Sequence, residues 1–150
     1  MIRPVRRILL CRILLVLNLA LIWGNSLVSG STSGQISGGI MELFMELLRI
    51  PADFTDVVHL IIRKLAHLTE FACLAALISW HLRLVKEKRV HQMLLAVLLA
   101  MAAALVDETI QLYTPDRGPS LLDVWIDTLG AVLGMTAAQL VCHTNKKNKT

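Results

Sequence analysis

The chain is poor in charge: Asp, Glu, Lys and Arg make up 17% of its 150 residues, against about 25% in an ordinary soluble domain. Apolar residues reach 55% and the mean hydropathy is +0.63, so lipid accounts for the composition better than a large soluble core does. Cysteine is sparse as well. Cys11, Cys73 and Cys142 lie in or beside apolar runs, with no CxxC and no Cys/His metal spacing, which argues against a disulfide or zinc scaffold. HExxH, GxSxG and other specific catalytic strings are missing, and so is an internal repeat of the kind that underlies many transporters. The pI near 9.3 does not come from a basic cluster on any one soluble helix or strand, so nucleic acid is not an expected partner.

Long apolar runs, by contrast, are plentiful, and 150 residues leave room for one domain. The runs predict an all-α, polytopic membrane protein, a four-transmembrane-helix bundle with spans at about 8–24, 57–82, 91–113 and 121–142. Each approaches the roughly 20 residues that a helix needs to cross about 30 Å of hydrocarbon. The third run extends toward Tyr113 because nothing breaks the helix before Pro115. Arg3, Arg6 and Arg7 ahead of the first run also fit a secretory signal peptide, whose cleavage would leave three spans.

Loop charge orients the bundle. Arg3, Arg6, Arg7 and Arg12 lead into span one, Arg83, Lys86, Lys88 and Arg89 fill the loop after span two, and Lys146, Lys147 and Lys149 follow span four. Together they are 11 of the 15 basic residues, whereas Glu87 is the one acidic residue in those segments. Positive-inside reasoning places both termini and the middle loop in the cytoplasm, in a multi-pass membrane protein.

Between spans one and two, GNSLVSGSTSGQISGG reads as a flexible loop. In IMELFMELLRI, Ile40, Leu43, Phe44, Leu47 and Leu48 repeat at helical spacing opposite Glu42, Glu46 and Arg49, which predicts a short interfacial helix. Pro51 ends it, and Asp53 or Thr55 is expected to cap span two.

Three spans carry ionisable groups toward the same side. At about 100° per residue, Arg63, His67 and Glu70 share roughly 60° of arc, with Lys64 at its edge. Arg63 and Lys64 can snorkel to headgroups, but a carboxylate as deep as Glu70 has to face the bundle. Asp107, Glu108 and Gln111 cover about 100° of span three. Asp123, Asp127, Gly130 and Gly134 fall within about 60° on span four, so the GxxxG that permits close helix approach shares a face with both aspartates. Asp116-Arg117-Gly118-Pro119 forms the turn, with Ser120 as the expected N-cap of span four. These groups make one outer-facing depression with Arg117 and Lys64 at the rim. Five carboxylates against one Lys, two Arg and one His are more acid than pairing alone requires. A salt-bridge network that merely fixes the bundle is the structural alternative.

Taken together, RKLAHLTEF and DETIQLYTPDRGPSLLDVWIDTLGAVLG resemble the signature of the VanZ-like membrane proteins, and WGNSLVSGSTSGQISGG resembles the Ser- and Gln-bearing segment after that family's first span. The likeness covers about Leu14 to Met135. It implies a four-span bacterial membrane protein whose name-giving relative is associated with low-level teicoplanin resistance, and it places Lys64, His67, Asp107, Glu108, Gln111, Arg117, Asp123 and Gly130 at matching positions. Phe71 stands where the family often has Tyr, and Asp127 where Asn is common. The likeness to the broad family is better than that to the resistance protein itself.

Three functions compete. The first is binding of an envelope lipid or glycopeptide-like ligand through Lys64, His67, Glu70, Asp107, Glu108, Gln111, Arg117, Asp123 and Asp127. The second is a membrane-embedded hydrolase or transferase, with His67, Glu108 and Asp123 as catalytic candidates and a divalent cation held by oxygen ligands. Proton-coupled transport through Glu70 and Asp127 ranks third, because the other side offers it no polar path. The sequence assigns neither a cofactor nor an oligomeric state; lipid bilayer is the partner that it requires.

Overall fold

A computed structural model describes residues 4–29, 38, 39, 43, 45–47, 49 and 51–147. The described residues are helical or irregular, with no strand among them. Four long helices follow one another: α1 (Pro4–Leu27), α2 (Thr55–Leu84), α3 (Arg89–Gln111) and α4 (Leu121–Lys147). The interfacial helix expected around 40–50 falls largely outside the described residues.

Several boundaries differ from the sequence expectation. α1 runs through Gly24, Asn25 and Ser26 to Leu27, so the first residues of the expected Gly/Ser loop form its last turn. The cap of α2 is neither Asp53 nor Thr55. A 3-10 turn over Ala52–Phe54 leads into the helix, and Phe54 occupies the cap position without a side-chain cap bond. α3 stops at Gln111, two residues before Tyr113.

α2 is the central element, in contact with α1, α3 and α4, and its interface with α4 is the most extensive. The reason is in the glycines. A Cβ at Gly130 would collide with the backbone carbonyl of Leu68, and one at Gly134 with that of Ala72, so the two backbones touch where the GxxxG lies. α3 packs through a stripe of small residues, Ala96, Ala100, Ala103 and Ala104, while Leu94, Leu98, Leu99 and Leu105 point outward. Phe71, Leu74, Ile22 and Met135 fill the space between helices. On α3 the arrangement is inverted relative to a soluble helix, with small side chains inside and large aliphatic ones outside.

Among the described residues, two helical stretches are long and apolar enough to cross a membrane, Arg89–Gln111 with a mean hydropathy of 2.1 and Leu121–Cys142 at 1.4. The α2–α3 connection is short because α2 ends in a Schellman motif: Glu87 N–H donates to Leu82 O and Lys86 N–H to Arg83 O. Lys86 takes the left-handed conformation there (φ 65°). At the same end, Gln139 Nε2 donates to Ser79 Oγ at 3.1 Å and to Gln92 Oε1 at 3.3 Å, and Gln92 Nε2 donates to Glu87 O at 2.6 Å. This clasp joins α2, α3 and α4. The opposite end, where α1 and α3 finish and α2 and α4 begin, carries the denser polar cluster.

Candidate functional site

At that second end the α3 terminus supplies the centre. Asp107 is fully buried and Gln111 nearly so. Four residues apart on one helix, they lie one above the other, and Gln111 Nε2 donates to Asp107 Oδ2 at 2.8 Å. The other oxygen of Asp107 accepts from Ser26 Oγ at 2.6 Å, across to the last turn of α1. A buried carboxylate is expensive without donors, and here each oxygen has one.

Glu108 turns toward α4. Its Oε2 accepts the Ser120 backbone N–H at 2.6 Å, and Gln111 Nε2 approaches Oε1 at 3.4 Å. An anion at a helix N-terminus meets unpaired N–H groups and the positive end of the helix dipole. It is the Ser120 main chain that is engaged here, while the carboxylate comes from Glu108. Lys64 of α2 pairs with Asp123 Oδ1 in the first turn of α4, which links the two helices just beyond the glycine contact.

Asp127 is the exception. It lies one turn deeper on α4, 1% exposed, and neither carboxylate oxygen has a hydrogen-bond partner among the described residues. Its charged neighbours are carboxylates: Asp107, Glu108, Asp123 and Glu70. His67 stands near Asp107 and Asp123 with a buried, unpartnered Nδ1. Arg63 is close enough to act on His67, Glu108 and Arg117.

Two expected members point elsewhere. Glu70 faces α1, accepting from Asn25 Nδ2 at 2.8 Å. Arg117, in the turn after α3, donates from Nε to Val28 O at 3.3 Å and from Nη2 to Asn25 O at 3.1 Å. It therefore caps the C-terminal end of α1, where carbonyls lack helical partners, instead of pairing with a carboxylate. Burial pulls its pKa down, opposed by the nearby Asp107 and Glu108 charges. Thr114 Oγ1 adds a bond to Ser26 O at 2.9 Å.

Asn25, Ser26 and Thr114 were not among the expected site residues. A signal for the first two existed: the helical run of α1 continues past Trp23 without a proline, so Asn25 and Ser26 arrive on the bundle side one turn later. Nothing in the sequence marks Thr114, which depends on how the turn folds back. As for metal, no three His, Cys, Asp or Glu side chains among the described residues are grouped to hold an ion. Asp107, Asp123 and Glu108 spend their oxygens on Ser26, Gln111, Lys64 and the Ser120 amide.

Residues 11–142, which include all of these side chains, match the VanZ/LLP1 family model. The chain belongs to the VanZ/LLP1 family. Family membership and the two apolar helices point to a membrane protein. No curated protein and no solved structure matches it.

Proposed function

We propose that this VanZ/LLP1 protein is a four-span protein of the bacterial cytoplasmic membrane. Its outer-facing polar recess would bind an envelope lipid or glycopeptide-like ligand through a cationic group. The observation that carries this reading is Asp127. A buried carboxylate with no donor, surrounded by other carboxylates, is destabilising by several kcal/mol unless it holds a proton or meets a cation. A structural salt-bridge network would have paired it. Lys64 is already committed to Asp123 and Arg117 to the end of α1, and neither Arg63 nor His67 bonds to Asp127, so a ligand is the natural source of the missing donor.

The membrane reading has support beyond family. Only 33% and 28% of the apolar windows in Arg89–Gln111 and Leu121–Cys142 are buried, whereas the core helix of a soluble protein is mostly buried. α1 adds an outward face of Leu9, Leu10, Ile13, Val16, Leu17 and Leu21, and α2, at 30 residues, is long enough to cross. The basic-residue distribution supports an outer position for the Asp127 end. A contribution to glycopeptide resistance belongs to the same proposal.

Native mass spectrometry of the purified protein, with bound molecules identified after release, tests the reading. An amine-bearing envelope molecule should accompany the wild type and fall about tenfold in Asp127→Asn, as expected for losing one charged hydrogen bond. Equal retention by both proteins would overturn it.

A further inference from the structure

Resting on the membrane reading above, we infer that the open groove between α1 and α2 holds the apolar chain of an amphiphile whose ammonium group meets Glu70. The groove has a volume of about 570 Å³, inside the range of about 300–1,000 Å³ usual for ligand sites. Its walls are apolar, with Leu21 on α1 and Ile62, Leu65 and Ala66 on α2. Three polar side chains break that lining, Asn18, Thr69 and Glu70; the Thr69 hydroxyl donates to Leu65 O within its own helix, which leaves Asn18 and Glu70.

Both of those groups are short of donors. Asn18 Oδ1 is buried and has no hydrogen-bond partner among the described residues. Glu70 accepts one bond, from Asn25, although a carboxylate has about four acceptor sites. The charged side chain acting on it is Asp107, another carboxylate. An ordinary acyl chain would cover the walls and leave these acceptors stranded in hydrocarbon, and an apolar helix from a second copy would do the same. A chain that ends in an ammonium group satisfies both features: the methylenes cover Leu21, Ile62 and Leu65, and the cation supplies donors to the carboxylate. Glu70 hydrogen-bonds toward α1, yet its charge still acts on the buried Asp127. The groove is thus a lateral entrance from the bilayer to the recess, and the ligand class of the recess narrows to single-chain or lipid-anchored amines.

Photo-crosslinking in phosphatidylcholine nanodiscs tests this, using a long-chain alkylamine with a diazirine in its chain and the matching alcohol as control. Labelling should concentrate on Leu21 and on 62–73 of α2, with the amine favoured over the alcohol about tenfold. Glu70→Gln should abolish that preference. Ala66→Trp, at an exposed position on the groove wall, should lower labelling by both probes. Labelling spread evenly over the four helices, equal labelling by amine and alcohol, or crosslinks between two copies through the groove would each overturn the inference. The two readings fail separately. If Ala66→Trp still co-purifies with the ligand lost from Asp127→Asn, the groove is wrong and the recess stands. If groove labelling behaves as stated while Asp127→Asn loses nothing, the recess is wrong.

Discussion

Asp107 and Asp127 are both buried aspartates in the same cluster, yet they stand in opposite energetic positions. Asp107 accepts from Ser26 on one oxygen and Gln111 on the other, so its removal strands two buried donors. Asp127 accepts from nothing among the described residues, so its charge is a cost that the fold carries. Functional groups commonly stand in that relation to stability. Asp107→Asn should therefore destabilise the protein by about 1–3 kcal/mol, the usual penalty for breaking a buried charged hydrogen bond. Asp127→Asn should leave stability unchanged or raise it. Thermal unfolding of the two variants side by side in one detergent checks the contrast, and a larger loss in Asp127→Asn would mean that its carboxylate is a structural group. The sequence made both residues visible as inward-facing acids. It could not separate them, because the difference lies in Ser26, which is 81 residues away from Asp107 in the chain.

Helix contacts set the next scale. The α2–α4 seam is closed by backbone approach at Gly130 and Gly134, so a methyl group there meets main chain, which cannot rotate away. Gly134→Ala should force the helices apart and cost about 1–3 kcal/mol or more, as overpacking does. Gly24, on the outward part of α1, has nothing within 4 Å of an added Cβ. Gly24→Ala should be neutral or stabilising by up to about 1 kcal/mol through helix propensity. Unfolding of the two variants decides the matter; similar effects would mean that the seam is looser than the close approach implies. Separating α2 from α4 would also pull Lys64 from Asp123, so ligand retention should fall with stability in Gly134→Ala.

At the scale of the molecule, the two ends are built differently. One has an amide and hydroxyl clasp of Ser79, Gln92 and Gln139; the other collects the carboxylates. In the proposed topology the first end, beside Arg83, Lys86, Lys88 and Arg89, faces the cytoplasm. In a background without Cys11, Cys73 and Cys142, a membrane-impermeant maleimide should label Gly118→Cys in intact cells. It should label Lys88→Cys only after permeabilisation. The reverse pattern would put the acidic recess on the wrong side for an envelope ligand.

Periodicity and charge placement determined much by themselves. Four long helices, the shared faces of His67 with Arg63, Asp107 with Gln111, and Asp123 with Asp127, and the GxxxG stripe follow from residues a few positions apart. Helical geometry converts such spacing directly into direction. Only the tertiary structure decided which partner each side chain meets. Glu70 shares an arc with His67 but turns to Asn25 across the α1 interface, and Arg117, expected at the rim of the depression, reaches α1 carbonyls. Hydrogen bonds between helices depend on tilt, register and the path of the turn after α3. None of these is written in the spacing of residues along a single helix.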